Sequence, residues 1–291
     1  MTDIAEAIEL GRLALAEAGQ SVPRLDVQVI LGHVLDMDRA TLIAHPEMQL
    51  TVEQERQFQQ LLERRKQGEP VAYLVGHKEF YDLDFLIDKR VLIPRPETEL
   101  LVEIALKIIR DLLARGPADW APVVADIGTG SGIIPITLAV QEPRLPNLYA
   151  SDISPDSLRV ARFNCQRYAV EHRVHLLLGD LLTPLPEPVD VLTANLPYVG
   201  TDEIDTLAPD IRNYEPHLAL FSGTQGLDLL DRFFKEAHQS SKLKEHAVLL
   251  LEIGYQQREA LANMLHELWP QAIVTFEKDY AGWDRLVQVI L

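Results

Sequence analysis

The chain has very little of what marks secreted, membrane-spanning or nucleic-acid-coating proteins. Its 291 residues include a single cysteine, Cys165, which excludes an intrachain disulfide framework and favours a reducing compartment. No apolar run approaches the ~18 residues of a membrane span, and the opening MTDIAEAIEL lacks the basic start of a secretory signal. Basic residues number 27 against 44 acidic ones, a net charge of -17. We therefore expect a cytoplasmic protein with little attraction for nucleic-acid phosphates.

Metal sites and nucleophilic cysteine chemistry also find little support. The nine histidines form no set with metal-ligand spacing, so no metal is expected. Cys165 lies at helical spacing from Leu158 and Ala161, which indicates core packing.

Hydropathy patterning divides the chain into regions, and its length suggests about two domains. The first region has helical periodicity only. One helix ends near Gly19, Pro23 begins a second, and Thr51 with Gln54 has the spacing of a capping box before a third. We predict a small all-helical domain over residues 1–75.

An alternating pattern, EFYDLDFLIDKRVLI, follows from Glu79 to Ile93. Alternation of this kind is typical of strands, so we predict a β-hairpin linker over residues 76–96.

Short apolar runs and amphipathic helices alternate after Gly116. Strands are predicted near 122–127, 147–151, 174–178, 189–194, 246–252, 271–276 and 285–290. Helices are predicted near 131–141, 155–169, 226–239 and 255–268. This order predicts an α/β, Rossmann-like domain over residues 97–291, with a mostly parallel seven-stranded sheet and helices on both faces.

The run VVADIGTGSG places Gly128, Gly130 and Gly132 directly after the first strand of that sheet. Glycine there lets the backbone turn sharply and lets a ligand approach the N-terminus of the next helix. No Gly-Lys-Ser/Thr follows, so the loop is not a P-loop, and the third glycine of a dinucleotide fingerprint would fall at Ile133.

Two aspartates follow the next two strands. Asp152 lies twenty residues past Gly132, where a carboxylate can accept hydrogen bonds from both ribose hydroxyls of a nucleoside-containing cofactor. The alternative is that Asp152 caps the helix beginning near Ser154. Asp180 ends the third strand, where it can meet an adenine edge or form a turn.

The fourth strand runs straight into Asn195-Leu196-Pro197-Tyr198. In a doubly wound sheet, ligands lie at the carboxyl ends of the strands, between the first and the fourth. The side-chain carbonyl of Asn195 and the backbone carbonyl of Leu196 can hold the two hydrogens of an NH2 group there. Pro197 stiffens the loop and Tyr198 packs against the flat group, so we interpret the motif as a clamp for a planar amino or amide group.

These residues resemble those of class I S-adenosylmethionine-dependent methyltransferases. More specifically, the chain resembles the peptide-chain release factor glutamine methyltransferases (the PrmC/HemK family) over nearly its whole length. The further matching runs are PVAYLVGHKEFYDLDF, VLIPRPETELLVE, YEPHLALFSGTQGLDLL, LEIGYQQ and AGWDRLVQVIL. The Pro-Arg-Pro-Glu-Thr-Glu run is the most specific of them.

The resemblance implies methyl transfer to the side-chain amide nitrogen of the glutamine in a Gly-Gly-Gln motif of class 1 release factors. It implies that the helical domain helps to dock the release factor. The net negative charge argues against direct nucleic-acid binding, and we expect a monomer. Asn195, Leu196 and Tyr198 are the catalytic residues the resemblance implies, and Asn195 to Tyr198 would bind the glutamine. S-adenosylmethionine would contact Gly128, Thr129, Gly130, Ser131, Gly132, Asp152, Asp180, Leu181 and Asn195.

The chain departs from the family's usual pattern at two positions. Leu196 stands where the family usually has proline, and Leu181 stands where it usually has tryptophan against adenine. Because position 196 contributes its backbone carbonyl, leucine should preserve the hydrogen bond.

Three alternatives remain open at this point. Asn-Leu-Pro-Tyr also resembles the clamp of ribosomal RNA adenine dimethyltransferases, although the acidity of the chain disfavours RNA. The chain can instead be a non-catalytic scaffold that binds a release factor. An NAD oxidoreductase is disfavoured by the glycine spacing.

Overall fold

The computed structural model describes residues 2–291, which divide by their contacts into two units. The first unit comprises the chain up to His77 together with Ala208–Tyr214. The second comprises Lys78–Leu207 and Glu215–Leu291. No helix among the described residues is long and apolar enough to cross a bilayer.

The first unit is entirely helical. Its helices are α1 (Ile4–Glu17), α2 (Pro23–Leu35), α3 (Arg39–Ala44), α4 (Val52–Lys66), α5 (Val71–Val75) and, from later in the chain, α9 (Pro209–Tyr214). The predicted start of α2 at Pro23 and the predicted capping box of α4 are confirmed, since Thr51 and Gln54 each accept the other's backbone N–H. The short α3 was not predicted, because six residues are too few to show a helical period.

A buried ion pair lies inside this unit. Nε of Arg65 in α4 lies 2.8 Å from Oδ2 of Asp26 in α2, and both side chains are less than one-tenth exposed. Arg65 also donates to the backbone carbonyls of Gly68 and Glu69. These bonds tie the end of α4 to α2, next to an apolar core that includes Ile30, Leu31 and Phe58.

The second unit contains the predicted seven-stranded sheet. Its strands are β3 (Val124–Ile127), β4 (Leu148–Asp152), β5 (Val174–Leu178), β6 (Val189–Ala194), β7 (Leu243–Glu252), β8 (Ile273–Lys278) and β9 (Asp284–Ile290). They lie in the order β5-β4-β3-β6-β7-β9-β8. All pairs are parallel except those made by β9, which is antiparallel to β7 and to β8. The predicted fold class is confirmed, with every strand boundary within about three residues of its prediction.

The helices of this unit are α6 (Glu97–Arg115), α7 (Ile133–Gln141), α8 (Pro155–Arg167), α10 (Asp228–Gln239) and α11 (Arg258–Leu268). Phe233 and Phe234 of α10 are fully buried in a core with Leu192 of β6 and Leu249 of β7. The β3 strand, which lies between β4 and β6, is buried at all four positions. A strand covered on both faces shows a continuous apolar run, which is why β3 and β6 were visible in the sequence.

The predicted hairpin is shorter than its alternating sequence pattern. It consists of β1 (His77–Phe80) and β2 (Leu83–Leu86), joined by Tyr81 and Asp82, whose φ angles of 51° and 59° are those of a tight hairpin turn. Asn164 of α8 accepts from the backbone N–H of Leu86 at 2.8 Å and donates to its carbonyl. Helix side chains thus bond the backbone at the end of β2, and residues 87–96 form no strand.

Candidate active site

A cavity opens at the carboxyl ends of β3, β4 and β6, where the strand order reverses around β3. Most of the predicted site residues line it. Those that do are Gly128, Thr129, Gly130, Ser131, Asp152, Asp180, Leu181, Asn195, Leu196 and Pro197. Gly132 and Tyr198 are not part of the cavity wall as the described residues form it.

The glycine loop turns tightly between β3 and α7. The backbone N–H groups of Gly128 and Thr129 both donate to the carbonyl of Ser151, each at 2.9 Å, which fixes the loop against the end of β4. A Cβ added at Gly128 would lie 2.9 Å from Cδ2 of Leu196, whereas one at Gly130 would meet no atom within 4 Å. Gly128 is favoured by its φ of 72° and by this close packing, and Gly130, at φ 56°, leaves open space beside the cavity.

Gly132 has a structural place at the start of α7. Its φ is 81°, and an added Cβ would lie 2.9 Å from the side chain of Ile136 and 3.2 Å from Ala161. Pro135 follows within the first turn of α7, where a missing N–H costs no helical hydrogen bond.

Asp152 joins the glycine loop to the start of α8. Its Oδ2 accepts from the N–H of Gly130 and its Oδ1 from the N–H of Ser154, both at 2.8 Å. Burial raises the pKa of this carboxyl, and the backbone hydrogen bonds from Ser154 and Gly130 act in the opposite direction. The capping role considered from the sequence is thus present, while the side chain also lines the cavity.

Asp180 has a partner that neither sequence interpretation included. Its two carboxylate oxygens pair with both terminal nitrogens of Arg232 in α10, at 2.6 and 3.0 Å. Its backbone carbonyl accepts from Thr183, as expected of a turn. Arg232 lines the cavity too and was missed, because nothing in its local sequence distinguishes it from other exposed arginines. Leu181 is 6% exposed with a φ of 46°, and places its apolar side chain in the same wall.

Asn195 follows the last residue of β6, and its amide nitrogen donates to Glu252 and to Thr98, of which Thr98 also lines the cavity. Nδ2 lies 3.0 Å from Oε2 of Glu252 and 3.2 Å from Oγ1 of Thr98. Because the two heteroatoms of a planar amide point in different directions, Oδ1 is the atom left for the cavity. Tyr198 donates from Oη to Oε1 of Glu252 at 2.9 Å, which holds the phenol beside the same carboxylate.

Glu252 and Thr98 were not assigned roles from the sequence, although both lie in matching runs. Glu252 ends β7, is 1% exposed, and also accepts from Oγ1 of Thr98 at 2.7 Å. Burial raises the pKa of Glu252, and the same cause raises that of Tyr198. Three donors therefore converge on one buried carboxylate.

Glu99, in the first turn of α6, has a partner outside the cavity. Glu99 accepts from the backbone N–H of Tyr81, in the hairpin turn.

Among the described residues, no group of three or more His, Cys, Asp or Glu side chains could hold a metal ion. Cys165 is buried, and burial raises the pKa of its thiol to about 12, which leaves it protonated at neutral pH.

Comparison with known proteins agrees with the resemblance noted from the sequence, both in the helical region and in the methyltransferase domain. A family model described as "PrmC N-terminal domain" matches residues 6–76, and one described as "Methyltransferase domain" matches residues 110–207. A protein of Koribacter versatilis, named release factor glutamine methyltransferase, is 39% identical over 87% of this chain and 86% of its own length. Proteins of the same name from Moorella thermoacetica and Cereibacter sphaeroides are 39% and 36% identical, over 93% and 99% of this chain and 92% and 98% of their own.

The chain belongs to the release factor glutamine methyltransferase family. It is accordingly an S-adenosylmethionine-dependent methyltransferase, as the glycine loop and the Asn195 motif predicted. Among solved structures, the "hMettl16 catalytic domain in complex with MAT2A 3′UTR hairpin 1" has a TM-score of 0.56 at 13% identity, covering 84% of this chain and 83% of that one. A human methyltransferase 10 domain containing protein has a TM-score of 0.51 at 15% identity, covering 72% and 88%. Both likenesses concern the fold alone.

The residues around the cavity fit the cofactor of this family. Gly130, with open space beside it, and the carboxylate of Asp152 both line the cavity. A nucleoside-containing ligand needs such space close to the backbone and a carboxylate for its ribose hydroxyls. Behind the loop, Oδ2 of Asp126 and Oγ1 of Thr129 are buried, and neither makes a hydrogen bond of good geometry with the described residues. Buried polar atoms of this kind are unusual in a folded protein; Thr129 lines the cavity, where a polar ligand group would satisfy its hydroxyl, whereas Asp126 is not among the described residues that line it.

Asp126, in β3, is a buried carboxyl with a raised pKa. It is 1% exposed, and Oδ1 accepts from Oγ1 of Thr193 at 2.8 Å. Burial raises its pKa to about 7, while the hydroxyls of Thr129 and Thr193 act in the opposite direction and the charge of Asp152 raises it further. The ionisation of Asp126 therefore changes near neutral pH.

Proposed function

We propose that this protein methylates the side-chain amide nitrogen of the glutamine in the Gly-Gly-Gln motif of class 1 peptide-chain release factors. The observation that carries the proposal is the orientation of Asn195. Its Nδ2 is bonded to Glu252 and Thr98, so Oδ1 is available in the cavity as an acceptor for an NH2 group. Relatives named for this activity match almost the full chain, which supports the choice of glutamine.

The clamp residues act on the glutamine amide. Oδ1 of Asn195 and the backbone carbonyl of Leu196 would accept its two N–H groups, which aligns the nitrogen and stabilises the positive charge that develops on it. Pro197 would restrict the loop, and Tyr198, which bonds Glu252 and is not among the described residues lining the cavity, would brace the motif from behind. An amide nitrogen is a poor nucleophile because its lone pair is delocalised, so orientation is the main contribution asked of this site, on the order of 7–11 kcal/mol in well-oriented intramolecular cases.

The loop residues would hold the cofactor. When bound, S-adenosylmethionine would supply an electrophilic methyl group on its sulfonium; its transfer would leave a neutral thioether, and the methylated nitrogen would release one N–H proton to water. Gly128 to Gly132 form the turn, Asp152 would accept from the ribose hydroxyls, and Asp180 with Leu181 would border the adenine. Arg232 forms a bidentate salt bridge with Asp180. We therefore add Arg232 to the residues that would border the cofactor.

Several broader features belong to the same proposal. The helical domain over residues 1–75 would help to dock the release factor, and the linker and catalytic domain would cover 76–96 and 97–291. The protein would act as a monomer in the cytoplasm, where translation factors are found.

An RNA adenine amino group offers the same pair of hydrogens, so the clamp alone does not decide the substrate. The surrounding charge favours protein. A chain of net charge -17 repels phosphate groups unless a local basic surface compensates.

The deciding experiment uses purified enzyme and methyl-labelled cofactor with two substrates, a bacterial class 1 release factor and naked ribosomal RNA. We expect label in the release factor only. Mass spectrometry should place one methyl group on the glutamine of Gly-Gly-Gln.

The matched control is a release factor in which that glutamine is replaced by alanine, and it should remain unlabelled. Label in adenine of the RNA, or equal labelling of the control, would contradict the proposal. Cofactor binding without any labelling would favour the non-catalytic scaffold.

A further inference from the structure

The carboxylate of Glu252 lies where it can control what Asn195 offers to a substrate. In the sheet, Ala194 at the end of β6 is paired with Leu251 of β7, so Asn195 and Glu252 are the next residues along two adjacent strands. Their side chains meet at 3.0 Å, and Glu252 is 1% exposed. The contact is therefore set by the register of the sheet and is shielded from water.

An asparagine side chain can present either of two opposite surfaces. Turning its amide by half a turn about the Cβ–Cγ bond exchanges the acceptor oxygen and the donor NH2 with little change in shape. In a clamp for an NH2 group, only the orientation with Oδ1 in the cavity is productive. The turned form would instead present donors and would suit a carboxylate.

Glu252 removes this ambiguity because an ionised carboxylate only accepts hydrogen bonds. Its Oε2 receives Nδ2 of Asn195 and Oγ1 of Thr98, and its Oε1 receives Oη of Tyr198. A turned Asn195 would bring Oδ1 against Oε2 and leave a buried acceptor pair without a proton between them. Burial raises the pKa of Glu252, while the hydrogen bonds from Thr98 and Tyr198 and the charge of Arg285 act in the opposite direction and favour the charged, accepting form.

Resting on the proposed function, we propose that Glu252, assisted by Thr98, is a positioning residue that fixes the Asn195 amide and thereby makes the site select a glutamine amide over a glutamate carboxylate. Glu252 itself touches no substrate atom in this scheme. It acts through Asn195, and through Tyr198 on the other side of the same carboxylate.

The principal test is Glu252→Met, which keeps the length of the side chain and removes both acceptor oxygens. We expect turnover to fall by on the order of 10- to 100-fold. Loss of a residue that orients a metal ligand through a hydrogen bond has an effect of this size. Cofactor affinity should change less than about two-fold, since Glu252 does not line the cavity among the described residues. Glu252→Gln retains one acceptor oxygen for Asn195 and should recover most of the lost turnover.

A binding ratio separates positioning from a merely structural role. With the demethylated cofactor product bound, the wild type should bind a Gly-Gly-Gln release factor more tightly than its Gly-Gly-Glu variant. Glu252→Met should reduce that ratio to near one, because a free amide can turn and donate. Glu142→Met is the matched control, since Glu142 is also buried but pairs with Arg144 elsewhere in the unit. The control should keep the ratio of the wild type.

A third measurement needs no substrate at all. Hydrogen exchange of the Asn195 side-chain amide, followed by NMR, should be slow in the wild type and faster in Glu252→Met and in Thr98→Val. If the wild type fails to label release factors while this dependence holds, the proposed function is wrong and the positioning role stands. If release factor is labelled but folded Glu252→Met keeps both slow exchange and the wild-type binding ratio, the positioning role is wrong.

Discussion

Oδ2 of Asp152 accepts a hydrogen bond of 2.8 Å from the backbone N–H of Gly130, across twenty-two positions of sequence. The glycine loop after β3 and the aspartate ending β4 are thus parts of one hydrogen-bonded arrangement beside the cavity. Charge-assisted hydrogen bonds to backbone N–H groups hold a carboxylate in a fixed position. A carboxylate fixed in this way can meet a pair of ribose hydroxyls without reorganising.

We predict that Asp152→Ala weakens binding of S-adenosylmethionine by about 1–3 kcal/mol, the usual effect of losing hydrogen bonds to a charged group. Isothermal titration calorimetry on the folded variant is the measurement, with the demethylated cofactor product as a second ligand. Asp156→Ala is the control, because Asp156 is exposed in the first turn of α8 and pairs only with Arg159 among the contacts described. Equal affinity in wild type and Asp152→Ala would remove the ribose assignment.

Gly130→Ala should impair cofactor binding, whereas Gly19→Ala, which should lose similar stability, should not. Gly130 and Gly19 both have positive φ, 56° and 78°, and an added Cβ at either meets no atom within 4 Å. Both alanine variants should therefore lose similar stability, roughly 1–2 kcal/mol for a left-handed residue. Only Gly130 adjoins the cavity, so only Gly130→Ala should lower cofactor affinity in calorimetry. Equal cofactor affinities in the two variants would show that the space at Gly130 is not used.

Asn195→Ala should leave the protein folded and lower turnover by roughly 100-fold or more, as when one preorganised transition-state hydrogen bond is removed. Steady-state methylation of a release factor and a circular dichroism spectrum are the two measurements. Asn147→Ala is the control, since Asn147 is exposed and bonds His175 at the far end of β5. Methylation by Asn195→Ala at the wild-type rate would mean that the clamp is wrong.

Leu196→Pro is expected to retain activity, because the backbone carbonyl of position 196 remains and proline is the residue the family usually has there. The side chain of Leu196 is 3% exposed and lies close to Gly128, so some apolar packing will be lost. The measurements are kcat for methylation of the release factor and the melting temperature, which reports the lost packing separately. A loss of kcat as large as that of Asn195→Ala would contradict the role assigned to the carbonyl.

The parts of the fold that could be predicted were those with a local signal. The strands β3 and β6 have continuous apolar runs because both of their faces are buried, and the capping box of α4 is contained within four residues. The parallel order then brings Asp152 and Asn195 to one edge of the sheet, so the cavity could be located before its geometry was known.

The residues that were missed depend on contacts across long stretches of chain. Thr98 and Glu252 are separated by 154 positions, and Asp180 and Arg232 by 52. No hydropathy period or spacing rule connects such pairs, and a single buried glutamate in an apolar run reads as an interruption of a strand. The length of the hairpin was overestimated for a related reason, because the side chain of Asn164 in α8 replaces strand partners at Leu86.

The stability of the protein should depend on pH through Asp126. Burial raises the pKa of this carboxyl from 3.8 to about 7, so between these values the folded protein binds a proton that the unfolded chain has released. The contribution of Asp126 to the free energy of unfolding is therefore complete below about pH 4 and is lost as pH rises through about 7, at up to about 1.4 kcal/mol per pH unit.

Asp126→Asn should abolish that contribution, because an amide does not titrate and still accepts from Thr193. The measurement is urea unfolding of wild type and variant at a series of pH values from 5 to 8. We expect the wild type to lose stability relative to Asp126→Asn as the pH rises. The free energy of unfolding of the variant minus that of the wild type should therefore be largest at pH 8. Carboxylates that do not interact with Asp126 affect both proteins alike and cancel in the difference, so the difference reports Asp126 together with its coupled neighbour Asp152. A difference that stays constant across the series would mean that Asp126 is ionised in the folded protein throughout, and the assignment of a raised pKa would be wrong.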